Sequence, residues 1–365
     1  PIWQGWSVPP SVVLVTGVSR FLGGHLAARL AADPGIERVL GVDIVPPSRD
    51  MLRRMGRAEF VRADIRNPLI AKVISRASVD TVVHTALSSE PARSGGRTAM
   101  KEMNVIGTMQ LLAACQKASS VRRMVLKSTT AVYGASSRDP ALFDETMTPK
   151  EIPSGGWAKD ATEIEGYLRG FARRRPDVSV TVLRFSNLIG PRVDNAFTRY
   201  FSLPVVPTVL GYDARVQLLH EEDGLAVLER AVSEEIPGVF NVAADGVLLL
   251  SQAIRRAGRV ALPVPGIAVG SVGKLLRTAR IVDYSPEQLR LLNFGRVVDT
   301  TRLRRQFGFT PRWTTVQAFD DFVRGAALRP LLPPDRIDAL ERVLREGGIT
   351  AGRQVDKLLS AVGAR

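Results

Sequence analysis

At 365 residues, 45% hydrophobic and 24% charged, the chain can bury a large core, and its composition excludes a disordered or fibrous protein. One cysteine excludes an internal disulfide, three scattered histidines exclude an obvious zinc site, and no apolar run is long enough to cross a bilayer. The net charge of +14 is carried mostly by arginine spread along the chain, without interleaved aromatic motifs, so the charge does not by itself make this a nucleic-acid-binding protein.

The opening PIWQGWSVPP has neither a methionine nor the zones of a signal peptide. With the cysteine usage, this gives the expectation of a cytoplasmic protein whose native N-terminus is missing or altered. Next comes SVVLVT (11–16), a buried-strand signal, followed by the helical FLGGHLAARLAA. Further strands are read at ERVLGVD (37–43), AEFVRAD (58–64), VDTVVHTA (79–86), RRMVLKST (122–129) and VSVTVLRF (178–185). A long helix is expected from about Thr98 to Lys117, and another begins near Trp157. Apolar strands alternating with helices imply a parallel sheet covered on both faces, hence an α/β, doubly wound Rossmann fold over 11–185.

After Phe185 the alternation breaks. Residues 186–325 are richer in proline and glycine and read as a smaller substrate-side domain, some of whose elements can return to the sheet. PVPGIAVGSVGKLLRTARI (264–282) is apolar and tipped with Lys274, Arg277 and Arg280. It reads as a packed helix or as a face for a membrane surface or partner protein. Residues 326–365 form a tail with two short amphipathic helices, Ile337–Leu344 and Val355–Val362 on their apolar faces, suited to docking on the chain's own body or on a dimer mate.

Between the first strand and first helix lies VVLVTGVSRFLGGHL. Gly17 permits the tight turn, Gly23 close helix–sheet packing, and the start of the helix (Phe21, Leu22) offers N–H groups and a positive dipole end to a pyrophosphate. Arg20 stands where such loops place a glycine that lets backbone approach phosphate. A side chain there should push the diphosphate outward or alter the loop, or else its guanidinium contacts phosphate. Asp43 ends the second strand, positioned for adenosine ribose hydroxyls, and it favours NAD over NADP because it repels a 2′-phosphate.

Taken with these residues, the motifs along 11–315 resemble the extended short-chain dehydrogenase/reductase family, the NAD-dependent epimerase/dehydratase group. TGVSRFLG is similar to its TGxxGFLG. ADIRN, with Asp64 and Ile65, resembles its adenine-binding pair. VVHTA (His84, Thr85, Ala86) resembles the run beside the cofactor, and NVIGT, beginning at Asn104, its NVxGT helix. KSTTAVYG, VLRFSNLIGP, LLHEED, FNVAADG and VVDTTRLRRQFGFTPRW follow in the family's order. The chain is most similar to actinobacterial UDP-glucose 4-epimerase-like members.

The resemblance implies NAD as cofactor and a nucleotide-sugar-like substrate. It also implies a homodimer built on the long helices, with Thr129 at the strand-end Ser/Thr position and Asn187 touching a substrate diphosphate. It further implies a Tyr-x-x-x-Lys pair whose lysine holds the cofactor ribose and makes the tyrosine a usable base. Counting back from Glu165, where the family has a glutamate four residues past its lysine, lands on Ala161 and Trp157. None of the five tyrosines has lysine four residues on.

Trp has no titratable proton in range and Ala no charge, so the ordinary acid/base mechanism is absent. Lys159, Lys127, Asp160 and Tyr133 are candidates for recruitment. Each has an easier structural role, with Lys159 and Asp160 read as solvent-facing first-turn residues and Trp157 as an aromatic wall of the pocket. Two functions follow: an oxidoreductase or isomerase-type enzyme with an altered mechanism, or an NAD-binding scaffold that engages a partner protein or an anionic membrane through its basic C-terminal region. RNA binding is the weakest expectation.

Overall fold

The computed structural model describes residues 9–91, 94–149, 156–265 and 286–330. Residues 266–282 of the apolar segment and the tail helices expected after residue 330 lie outside the described residues. In chain order the elements are β1 (Val12–Thr16), α1 (Phe21–Ala32), β2 (Arg38–Asp43), α2 (Arg49–Met55), β3 (Glu59–Arg62), α3 (Ile70–Arg76), β4 (Thr81–His84), α4 (Arg97–Lys101), α5 (Gly107–Lys117), β5 (Arg123–Thr129) and α6 (Gly156–Arg174). Then follow β6 (Ser179–Phe185), β7 (Asn187–Ile189), α7 (Ala196–Ser202), β8 (Val205–Val209), β9 (Arg215–Val216), β10 (Leu218–His220), α8 (Glu221–Ser233), β11 (Gly238–Val242), β12 (Leu248–Leu249), α9 (Leu250–Arg256), β13 (Val260–Val264), α10 (Pro286–Phe294), α11 (Thr301–Arg305) and α12 (Thr315–Gly325).

Each of the six strands expected from sequence is present, and every neighbouring pair in the main sheet is parallel. The order is β11-β6-β5-β4-β1-β2-β3, seven strands. The chain runs outward from β1 to β3, then restarts on the other side of β1 at β4. That reversal leaves a crevice at the carboxyl ends of β1 and β4, where ligands bind in open α/β sheets. Val13, Leu14 and Val15 are fully buried because helices cover both faces. Burying each such side chain contributes roughly 1.5–3 kcal/mol before chain entropy is counted.

The chain after Phe185 divides in two. β11 extends the main sheet beside β6, and α8 packs its Leu225, Leu228 and Val232 into the core shared with α1. The remainder forms its own core from Phe197, Tyr200, Phe201, Leu218, Ile254 and Phe319, with two-stranded pairings β10–β7, β12–β9 and β13–β8.

The helix expected from Thr98 to Lys117 is interrupted. A π turn, Glu102–Ile106, separates α4 from α5. The extra residue in the turn brings Asn104 inward, where its side chain accepts from Ser88 N–H (2.9 Å) and donates to Ser88 O (2.8 Å) and Asp160 Oδ2 (3.2 Å). Three buried polar groups are satisfied by that distortion.

Helix α6 is held at two points. Near its start, Arg97 forks onto Asp160, with Nη1 to Oδ2 at 2.7 Å and Nη2 to Oδ1 at 2.6 Å. Asp160 is fully buried, which corrects the solvent-facing position expected for it: an arginine and an asparagine from the neighbouring helical stretch satisfy its carboxylate. Five residues later, buried Glu165 accepts from Ser128 Oγ (2.6 Å) on β5 and pairs with Arg184 (2.7 Å) on β6.

Candidate functional site

A cavity of about 450 Å³ opens at the switch point. Its wall brings together Arg20, Phe21 and Leu22 from the start of α1, Thr85 after β4, Lys127 and Thr129 from β5, Trp157 from α6, and Ser186 and Asn187 after β6. Seven residues expected from sequence therefore meet there: Arg20, Phe21, Leu22, Thr85, Thr129, Trp157 and Asn187.

The glycine loop keeps its shape despite Arg20. Gly17 has φ +78°, and a Cβ on it would stand 2.7 Å from the Ala86 Cα, so glycine is required there on two counts. A Cβ on Gly23 would stand 2.4 Å from the Gly17 carbonyl oxygen. Arg20 differs: its φ of −101° and ψ of 162° are extended backbone that any residue adopts. The expected alteration of the loop does not occur, and Arg20, an exposed residue, is part of the cavity wall. Helix α1 has no side-chain cap and no acidic residue in its first turn. Its leading N–H groups and dipole are left for an anion, which fits a diphosphate.

Asp43 lies beyond the cavity at the end of β2. Its Oδ2 accepts from Ser19 N–H (3.1 Å) and Oγ–H (2.6 Å), and its Oδ1 accepts from Ile44 N–H (2.8 Å). The carboxylate thus ties the glycine loop to the strand while presenting an acceptor at the sheet edge. Asp64 pairs with Arg66 (2.7 Å), whose guanidinium holds the carboxyl below its ordinary value. Ile65 is buried and packs on Gly107.

Two residues read as cofactor-facing from the sequence, His84 and Asn104, lie inside the fold instead. His84 is fully buried. The Thr108 hydroxyl donates to the Asn104 carbonyl, so it accepts from His84 Nε2 (2.9 Å), and Nδ1 takes the Thr16 hydroxyl (2.8 Å). Burial, helped by the Arg20 charge, lowers His84 to about 3, so it is a neutral stitch between β1, β4 and α5. Asn104 is consumed by Ser88 and Asp160. Ala86 has its backbone against Gly17.

The start of α6 carries no acid/base pair. Trp157 lines the cavity and rests its other side on the core. Ala161 is fully buried in a cluster with Val132, Tyr133, Phe143, Ala243 and Val298. Tyr133 is spent structurally, since its hydroxyl donates to Asn241 Oδ1 (2.8 Å) and accepts from Arg184 Nη1 (2.7 Å). Lys159 and Asp160 are not part of the cavity wall.

Lys127 is different. It lies two residues before Thr129 on β5, on the same strand face, with Nζ 5.7 Å from the Phe185 ring centroid. Burial, then the Arg20 charge, lower its ammonium to about 8. Of the four residues offered for recruitment as an acid/base group, Lys127 alone lines the cavity. The period-two alternation of β5 was the signal that pairs it with Thr129. Ser186 was missed altogether; its buried Oγ has no hydrogen-bond partner and its residue lines the cavity.

Residues 13–243 match the NAD dependent epimerase/dehydratase family. The chain is 57% identical over 332 residues to an uncharacterized protein of Mycobacterium tuberculosis, an alignment covering 91% of this chain and 88% of that one. The fold is similar to that of a dTDP-glucose 4,6-dehydratase from Bacillus anthracis solved in complex with NAD: TM-score 0.67, 17% identity, 87% of this chain and 96% of that chain. It is also similar to that of a UDP-glucose 4-epimerase from Thermotoga maritima solved with UDP-glucose: TM-score 0.67, 19% identity, 87% and 98% covered. With the parallel sheet, the switch-point cavity and the intact glycine loop, these matches give the conclusion that the chain belongs to the NAD dependent epimerase/dehydratase family, and NAD is the cofactor its loop serves.

Proposed function

We propose that this protein binds NAD across the carboxyl ends of β1, β2 and β4 and acts on a hydroxyl of a nucleotide-sugar-like substrate, as an oxidoreductase or isomerase that does not use the family's tyrosine and lysine. The observation that carries this reading is the cavity in which the uncapped start of α1, Thr129 and Asn187 converge. The α1 N–H groups, with Arg20, would hold the diphosphate, and Asp43 the adenosine ribose. NAD supplies a hydride acceptor and donor. Thr129 orients the substrate hydroxyl, Asn187 contacts the substrate's phosphate side, and Trp157 walls off water.

A second reading, an NAD-binding scaffold without chemistry, is favoured by Trp157 and by the closed packing of Ala161. The test is to denature the purified protein, identify released nucleotide by mass spectrometry, and then offer a panel of UDP- and dTDP-sugars. Released or added NAD that binds, together with sugar-dependent NADH, supports the enzyme. Bound NAD without turnover supports the scaffold, and an empty site that rejects NAD defeats both.

We also propose a homodimer through α5 and α6, supported by the exposed apolar Ile106, Met109 and Tyr167 on that stretch. Sedimentation showing a monomer would overturn it. A cytoplasmic setting is supported by the single, buried Cys115. Among the described residues no helix is long and apolar enough to cross a membrane. Contact of the C-terminal region with membrane or a partner protein remains a proposal from sequence.

A further inference from the structure

We propose that Lys127 is the proton-carrying group of this pocket, doing from strand β5 what the start of helix α6 no longer does. The inference rests on the reading that the pocket binds NAD and a hydroxyl-bearing substrate. It stands first on geometry. Lys127 and Thr129 leave β5 on the same face and line the same cavity, so a hydroxyl held by Thr129 lies beside the Lys127 stem. Lys127 reaches the cavity from the sheet face that carries α1 and α8, through its contact with Phe185, whereas Glu165 packs against the strand neighbour Ser128 from α6.

The second observation is that no carboxylate among the described residues pairs with the Lys127 ammonium. The other charged groups on the cavity wall are Arg20, Glu90, Arg192 and Asp194. Glu90 and Asp194 both bind Arg199, and Arg192 binds Glu221 and Glu222. From the neighbouring elements, His84 on β4 is neutral and hydrogen-bonded, and Glu165 on α6 is taken by Arg184 on β6. A lone buried ammonium is expensive, and burial with Arg20 brings it to about 8, where both protonation states are populated near neutral pH.

The proton step balances as follows. The neutral Lys127 amine takes the proton of the substrate hydroxyl held by Thr129; the O–H bond breaks, an N–H bond forms, and ammonium results. When bound, NAD would supply the acceptor for the carbinol hydride and its two electrons. When a carbonyl is reduced, the same proton returns from Lys127 to oxygen.

The test uses the full-length protein with its lysines reductively methylated with ¹³C, Lys127 being assigned by its absence in Lys127→Met. The expected result is one resonance with a midpoint near 8 that moves when NAD is added. In parallel, NADH formation with the UDP- and dTDP-sugar panel is followed against pH for wild type, Lys127→Met and Lys127→Arg. Loss of a positioned acid/base group should lower the rate by about 100-fold or more. Arginine, which keeps the charge but cannot release a proton, should be as poor as methionine.

Rescue by arginine, wild-type rates in Lys127→Met, or a Lys127 midpoint at the ordinary lysine value would overturn the proposal while leaving NAD binding and turnover intact. Wild type that fails to bind NAD, or binds it and turns over no sugar, overturns the enzyme reading and the Lys127 role with it.

Discussion

The glycine loop and the start of helix α6 both border the cavity, and their residues are used in opposite ways. In the loop Arg20 sits on extended backbone, and the turn keeps its form around it. In α6 Trp157 and Ala161 carry no titratable group, and the helix is fastened by Asp160–Arg97 and by Glu165 with Arg184 and Ser128. Fastening and chemistry are thus separable along one helix. Buried charge pairs set where α6 lies, while Ala161 is packed as core and Trp157 as pocket wall.

The largest expected effect comes from breaking the fastening. Arg184→Met strands Glu165 as an unpaired buried carboxylate and should cost about 3–5 kcal/mol in urea denaturation. A loss under 1 kcal/mol would show that the pair does not hold α6.

In the loop, Gly17→Ala meets both a left-handed φ and the Ala86 backbone. The conformation alone costs about 1–2 kcal/mol. NAD affinity, followed by Trp fluorescence, should fall about tenfold or more. Unchanged affinity would mean the loop is not the cofactor seat.

Ala161→Lys should destabilise by about 1–3 kcal/mol through overpacking of the Val132–Tyr133–Phe143 cluster. Combined with Trp157→Tyr it should not raise sugar-dependent NAD reduction above the wild-type rate. If it does, the seat for the missing pair is still open, and the contrast between loop and helix weakens.

The pH dependence follows from groups whose folded values are lowered. His84 charges at 6.5 when unfolded but only near about 3 when folded, so the unfolded chain binds the proton first. Stability from its neutral burial is complete above 6.5 and drains as pH falls toward 3. For Lys127 the burial penalty is present below about 8 and is relieved as pH rises from there to its ordinary 10.5. Denaturation midpoints across this range should show both slopes. His84→Gln should remove the acidic one and Lys127→Met the basic one.

The smallest effect is expected from Arg20→Gly. Stability should stay within about 1 kcal/mol, the usual cost of an added glycine. The Lys127 resonance should titrate higher, because one of the two causes lowering it is gone. A static midpoint would break the link between loop and strand.

Much of this architecture was legible in the sequence. Apolar strands covered on both faces leave continuous runs of Val, Ile and Leu, so all six early strands could be read, and the helix expected to begin near Trp157 is α6. β11 was less visible, since its short strand follows a proline-rich stretch and joins β6 only through tertiary pairing. The π turn was not legible either, because it is selected by Asn104 reaching Ser88 and Asp160, contacts distant in sequence. His84 was misread because a histidine beside a cofactor motif looks like a ligand until both its nitrogens are found between threonines. Lys127 was legible as one of four acid/base candidates, but what singles it out, its place in the cavity beside Thr129, comes only from the sheet, as does Ser186.

The extended backbone at Arg20 has an evolutionary consequence. A site that accepts any side chain without folding cost is open to exchange, and this one faces the cofactor end of the pocket while its charge reaches Lys127. Under the proposed function a single codon there would retune phosphate affinity and the working pH of the amine together. The loop therefore acts as an adjustable dial, turned by mutation, on a sheet whose strands stay fixed.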